Sequence, residues 1–308
     1  MSELKILAAA ACTFLISIPV AGHTATIDVL WTSGTDAYDA SMQSVADRAA
    51  TYDPDGDGAL SWNLTFWDGT SDPGFENYDA FVIGSTCNSN GTGNCSGSAG
   101  FFGNGVYADG VLAYGDEIEA ARGDDSRTFL SGQDADFHQF NNLPGVDNGP
   151  QGFIINAVNW AASGVGLGIV SMTADIPSSL GSDWWTLPDS FLADEIPVAD
   201  VFAFNSETVN IGAGQENFPV NEGLTSAGLS NWSTSSHACF NEIAGFTRIN
   251  FAPQGAGECG VTIVTSGAEG GDTGGGDSTT NPIPLPAGIW LMMGGLGLLG
   301  AQKRRAKA

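Results

Sequence analysis

The sequence predicts an α/β protein built on a mostly parallel sheet with helices on both faces. Three observations carry that expectation. Short apolar runs alternate with stretches of helical spacing from residue 27 to residue 171. Several of those runs are continuously apolar, as strands buried on both faces must be. From Thr173 to about Ser266 the helical spacing stops, and a strand- and loop-rich section follows that suits an antiparallel addition.

In chain order, Ile27–Trp31 reads as a strand, followed by a polar turn, Thr32-Ser33-Gly34-Thr35. Ala40–Tyr52 has helical spacing through Met42, Val45, Ala46 and Ala49. Asn63–Trp67 and Ala80–Gly84 read as the second and third strands, and Gly105–Ala121 as mostly helical, with Val111, Leu112 and Ile118 apolar. Thr128–Ser131 is a fourth strand running into Gly132. Gly149–Ser163 is the strongest helix, and Leu167–Ser171 the strand after it. No internal repeat is present.

Charge narrows the function classes. The chain has 308 residues and a formal net charge of −26, with 35 acids against nine Lys and Arg. Five of those nine bases are Lys5, Lys303, Arg304, Arg305 and Lys307, at the two ends. Only Arg48, Arg122, Arg127 and Arg248 lie in the body. So acidic a surface repels nucleic acid and anionic lipid, which excludes nucleic-acid binding, and it attracts cations.

Both ends read as targeting segments. Residues 1–25 carry Lys5, an apolar run from Ile6 to Val20 and the small-residue stretch Ala21-Gly22-His23-Thr24-Ala25. That order is a secretory signal for signal peptidase, cut after Ala25 or Gly22, the alternative being an uncleaved helix. The extracellular α/β domain then spans 26–267, a Gly/Asp/Ser/Thr linker 268–281, and the tail 282–308. An apolar run at 285–301, about 26 Å long as a helix, is just enough for a transmembrane span. The bases after it keep that end inside the cell and the body outside.

Ile283-Pro284-Leu285-Pro286-Ala287, the Gly-rich apolar run and the Lys303, Arg304, Arg305 cluster together resemble the PEP-CTERM class of sorting signals, close to its VPLPA-CTERM variant. The resemblance covers the last thirty or so residues. It implies an exosortase-type membrane protease as partner, cleavage near the prolyl motif, transient inner-membrane anchoring, and delivery to the cell surface or extracellular matrix. A plain single-span anchor is the alternative.

With Cys12 lost in the signal, Cys87, Cys95, Cys239 and Cys259 remain. An even number in an exported chain argues for disulfides. Three pairings are open. We favour 87–95, closing a polar loop, and 239–259, joining the ends of the last hairpin, each contributing about 2–4 kcal/mol.

Val29-Leu30-Trp31-Thr32-Ser33-Gly34, Tyr78–Gly84, and Phe129-Leu130-Ser131-Gly132-Gln133-Asp134 at a strand-to-helix elbow are similar to the class I glutamine amidotransferase-like fold, a flavodoxin-like sandwich that includes ThuA-like proteins. Pro219 with Asn221-Glu222-Gly223-Leu224 resembles a late Pro-x-x-x-Gly-Leu segment of such folds. The resemblance implies a nucleophilic cysteine at the elbow, and none stands there. Ser131 lacks the Gly-x-Ser-x-Gly context of a hydrolase, so glutaminase chemistry is not expected.

The elbow is nonetheless polar. Gln133, Asp134, Asp136 and His138 crowd where the carboxyl edge of a sheet holds ligands, and His237 is the other histidine left after processing. One reading is a binding, acid/base or metal pocket. The other has Asp134 and Asp136 capping the following helix while His138 packs at its start. Asp53, Asp55 and Asp57, alternating with glycine at Gly56 and Gly58, suggest a calcium loop. Leu64 stands where an EF-hand needs its bidentate Glu, so a solvated Asp/Gly turn competes. Most tryptophans suit a core, whereas Trp184-Trp185 reads as an exposed pair that could contact extracellular polysaccharide. Three functions follow as expectations. The preferred one is a non-catalytic surface or matrix protein; the others are a secreted hydrolase using the Asp/His pocket and a calcium-dependent adhesin.

Overall fold

Side chains that alternate between two apolar clusters build the sheet. In the first strand, β1 (Thr26–Thr32), Val29 and Trp31 face one apolar cluster and Leu30 the other. β2 (Ser61–Trp67) and β3 (Ala80–Ile83) flank it, both parallel to it. β4 (Thr128–Ser131) and β5 (Gly168–Met172) extend the parallel array, every residue of both being buried. The computed structural model describes residues 25–56, 58–85, 106–141, 149–173, 185 and 188–266, all within one compact unit.

Helices cover both faces, as the two-sided burial requires. α1 (Asp36–Ala49) and α5 (Pro150–Ala162) join one cluster through Met42, Val45, Phe153, Ile154, Ile155 and Val158. Each of those large apolar side chains contributes about 1.5–3 kcal/mol by burial. α2 (Val106–Ala113) and α3 (Gly115–Arg122) put Val111 and Ile118 into the other cluster. α1 starts four residues earlier than its apolar spacing suggests, because the Thr35 hydroxyl accepts from the Tyr38 amide and caps it. The helix expected over 105–121 is two helices, broken at Tyr114.

The antiparallel addition is present. It consists of β6 (Val201–Ser206), β7 (Asn210–Ile211), β8 (Ser236–Phe240), β9 (Phe246–Gln254) and β10 (Gly257–Thr265). The sheet runs β2-β1-β3-β5-β4-β10-β8-β6, with β9 on β10 and β7 on β9. A flavodoxin-like sheet would order its parallel strands 2-1-3-4-5. Here β5 enters between β3 and β4, so β4 stands at the border of the parallel array and meets β10.

β9 pairs β10 along its whole length, so β4 and β8 share the other edge of β10, at Thr262–Val264 and at Gly260. β8 therefore begins where β4 ends. Gly132, just past β4, is hemmed in, since a Cβ there would sit 2.3 Å from the Ala238 carbonyl oxygen. An irregularity around Thr262 in β10 accounts for Val261 and Ile263, two positions apart, facing opposite clusters.

A disulfide joins Cys239 to Cys259, with Cα atoms 5.7 Å apart. It does not close a hairpin. Cys239 lies in β8, outside the β9–β10 pair, so the bridge ties two sheet neighbours. Cys87 and Cys95 lie outside the described residues. So do the signal, the linker and the whole sorting tail, with Pro284, Leu285, Pro286, Ala287, Lys303, Arg304 and Arg305. No helix among the described residues is long and apolar enough to cross a membrane.

Candidate functional site

The elbow begins where β4 runs out. Beyond Ser131, the Gly132 amide donates to the Val261 carbonyl at 2.8 Å, and the His237 amide donates to the Gly132 carbonyl at 2.7 Å. These two bonds fasten the turn between β10 and β8, and they fix where the histidine strand lies against it. The Ser131 hydroxyl is turned into the sheet. It is fully buried, 3.0 Å from Thr262 Oγ1, and accepts from the Gln133 amide at 3.0 Å. An oxygen so placed is a structural tie.

α4 (Ala135–Phe140) follows the turn. At 3.6 residues per turn, positions 134 and 138 fall on one side of a helix and 136 on the other. The two aspartates accordingly have different surroundings, although both are fully buried. Asp136 receives three hydrogen bonds. Its Oδ2 accepts from the Tyr38 hydroxyl at 2.7 Å and the Ser85 amide at 2.8 Å, and its Oδ1 from the Ser85 hydroxyl at 2.5 Å. Tyr38 in turn accepts from Trp31 Nε1 at 3.0 Å. Burial pushes the Asp136 carboxyl above its ordinary pKa, against the opposing pull of the Ser85 and Tyr38 bonds. Gly84 makes the arrangement possible, because a Cβ there would lie 2.4 Å from the Tyr38 hydroxyl and 2.8 Å from Asp136 Oδ2.

Asp134 stands at the N-cap position of α4, yet its side chain makes no capping bond, so the capping role considered for it is not the one it has. Its Oδ1 lies 2.8 Å from His138 Nε2 and 3.3 Å from His237 Nε2. Neither approach has hydrogen-bond geometry, and both carboxylate oxygens are buried without a hydrogen bond. His138 is 1% exposed and His237 15%. His138 Nε2 instead donates to the Thr234 carbonyl at 3.1 Å, while its Nδ1 has no hydrogen bond. The ring is oriented by packing, 5.5 Å from Trp232 and 5.5 Å from Phe137.

The loop that offers Thr234 is strained. Asn231, Ser233 and Thr234 have φ of 63°, 66° and 79°, and they alone among the described non-glycine residues are left-handed. Such positions cost about 1–3 kcal/mol each and concentrate at functional sites. The Glu207 carbonyl accepts from the Asn231 amide at 2.8 Å, and Glu207 Oε1 accepts from the Thr234 amide at 2.6 Å. Buried Trp232 pins the loop by donating to the Gly228 carbonyl at 2.8 Å.

Of the five residues singled out at the elbow, the structure brings Asp134, His138 and His237 together, with one ligand atom from each within 4.8 Å of the others. Asp136 turns toward Tyr38 and Ser85. Gln133 is buried and donates to the Leu229 carbonyl at 3.1 Å, leaving its Oε1 without a partner. Trp31, Tyr38 and Ser85 had no sequence signal for this region: Trp31 read as part of a strand, Tyr38 lies before the helix expected from Ala40, and Ser85 follows a buried strand. Thr234 is signalled only by its place three residues before His237.

Two other expectations fare differently. Asp53 Oδ1 accepts from the Gly56 and Gly58 amides at 2.9 and 3.1 Å, the pattern of an Asp/Gly turn. Asp55 is exposed, and Asp57 lies outside the described residues. Trp185 is not exposed. It is fully buried, stacked on Phe240 at 5.5 Å, and donates to Ser171 Oγ at 2.7 Å. The polysaccharide contact imagined for Trp184-Trp185 therefore loses Trp185, and Trp184 lies outside the described residues.

No family model, curated protein or solved structure matches this chain.

Proposed function

We propose that this is an exported cell-surface or matrix protein whose α/β domain binds a ligand at the elbow after β4 and does not perform acyl transfer there. Its signal at 1–25 sends it out, and an exosortase-type protease cuts its tail near Pro284 and Pro286. The order β2-β1-β3 is that of a flavodoxin-like sheet and supports kinship with that fold; the exchange of β4 and β5 departs from it. A single observation carries the binding reading. Asp134, His138 and His237 converge at the carboxyl edge of the parallel sheet, where such folds hold ligands, while the elbow's own hydroxyl is tied into the sheet.

The address is tested by fractionating the native cells and determining the mature C-terminus by mass spectrometry. Recovery in the surface or secreted fraction, truncated near residues 282–287, is the expected result. An intact tail in a soluble cytosolic pool sinks the reading.

The same convergence favours a second reading, a secreted hydrolase working through this pocket. It requires a measurable activity that His138→Ala abolishes while circular dichroism stays unchanged.

A further inference from the structure

We propose that Asp134 Oδ1, His138 Nε2 and His237 Nε2 are three ligands of a divalent transition-metal ion, with zinc the best match, and that its fourth position is left to water or an incoming donor. This rests on the elbow being a binding site and names what it binds.

The donor set selects the metal. Two imidazoles and one carboxylate suit zinc or a neighbouring transition ion, whereas calcium and magnesium demand a shell of oxygens. Three protein ligands plus one open place is the composition of zinc sites that bind exchangeable ligands. Among the described residues no fourth His, Cys, Asp or Glu joins the set.

Spacing agrees with the donor set. Zinc–nitrogen and zinc–oxygen distances near 2.0 Å place the corners of a tetrahedron about 3.3 Å apart. The Asp134–His237 separation is 3.3 Å; the Asp134–His138 separation of 2.8 Å has to open by a few tenths of an ångström, and His138 Nε2 has to exchange its hydrogen bond to the Thr234 carbonyl for the metal.

A plain hydrogen-bonded triad explains the site less well. If each imidazole simply donated to the carboxylate, the approaches would have hydrogen-bond geometry, and they do not. A fully buried carboxylate with neither oxygen hydrogen-bonded is strongly disfavoured unless a cation satisfies it. Two residues along the helix, Asp136 shows how this protein treats a carboxylate meant to stay without one, giving it three donors. The supporting structure is rigid where a metal site needs it. Asp134 and His138 sit one helical turn apart, and His237 is held through its amide on Gly132 and by a strand bridged at Cys239. His237, the most exposed of the three, marks the side from which solvent reaches the set.

The test uses the purified full chain, stripped with a chelator and dialysed, then titrated with zinc alone. Calorimetry and elemental analysis should give one zinc per chain, and zinc should raise the melting temperature. Cobalt in place of zinc should give the intense visible absorption of a four-coordinate nitrogen/oxygen site. His237→Ala, a change at the least buried ligand, and the isosteric Asp134→Asn should each weaken zinc binding by about 100-fold or more while circular dichroism stays the same. No zinc bound by a folded wild-type chain, or binding that both variants leave unchanged, overturns the proposal. Cell fractionation separates this outcome from the address. A zinc-binding chain retained in the cytosol removes the export reading and leaves the metal site, and an exported chain indifferent to zinc does the reverse.

Discussion

Asp134 and Asp136 are two residues apart, equally buried, and treated in opposite ways. Asp136 has a tyrosine hydroxyl, a backbone amide and a serine hydroxyl on its oxygens, drawn from α1 and from the end of β3. It joins three elements, and both of its oxygens are hydrogen-bonded. Asp134 has two imidazole nitrogens near one oxygen and no hydrogen bond on either. The difference separates a carboxylate that holds the fold together from one that the fold holds ready. Removing the first should damage stability, and removing the second should damage only binding.

The largest expected effect is on the Asp136 side. Asp136→Ala strands the Tyr38 hydroxyl and both Ser85 donors, and should lower unfolding free energy by about 3–5 kcal/mol in urea denaturation. A loss below about 1 kcal/mol would end the distinction. Gly84→Ala pushes a methyl against Tyr38 and Asp136 and should destabilise by about 1–3 kcal/mol, read as a lower denaturation midpoint.

A pH series sharpens the contrast. Because burial raises the Asp136 pKa in the folded state, the native protein holds a proton that the unfolded chain has released. Stability should therefore fall as pH rises from about 4 toward the raised value, by no more than about 1.4 kcal/mol per pH unit. Asp136→Asn should lack that slope, and a variant that keeps it would assign the titration elsewhere. Asp134→Asn should have the smallest effect. In metal-free protein it should cost no more than about 0.5 kcal/mol, and a gain in stability is equally consistent, since a buried carboxylate without hydrogen bonds is removed.

Much of the fold could be read from the residues because burial here is two-sided. Thr128–Ser131 has identical ends as a strand in sequence and structure, and Gly149–Ser163 differs from α5 by one residue at each end. The misplaced start of α1 shows the limit of periodicity: the Thr35 cap, read as part of a turn, governs the helix and not the first apolar position. Strand order was not legible, because nothing local in Gly168–Met172 says that it enters between β3 and β4. Trp185 misled for a related reason. Its polar neighbours suggested exposure, but Phe240 and Ser171, distant in sequence, decide its burial.

The candidate site was legible as a list of residues and illegible as a geometry. Gln133, Asp134, Asp136, His138 and His237 were all visible as polar groups beside an apolar strand. The spacing of four between Asp134 and His138 did hold the directional information, since it returns to the same side of a helix while Asp136 does not. What brings His237 to Asp134 is the sharing of one β10 edge by β4 and β8, a long-range pairing with no local trace.

That shared edge also sets a timetable. Asp134 and His138 emerge from the ribosome long before β8, and the pocket stays incomplete until β8 and β10 dock beside β4. Contacts this distant in sequence form slowly. If the chain is exported unfolded, as the proposed route has it, the pocket is finished only on the far side, and its ligand would be taken up there.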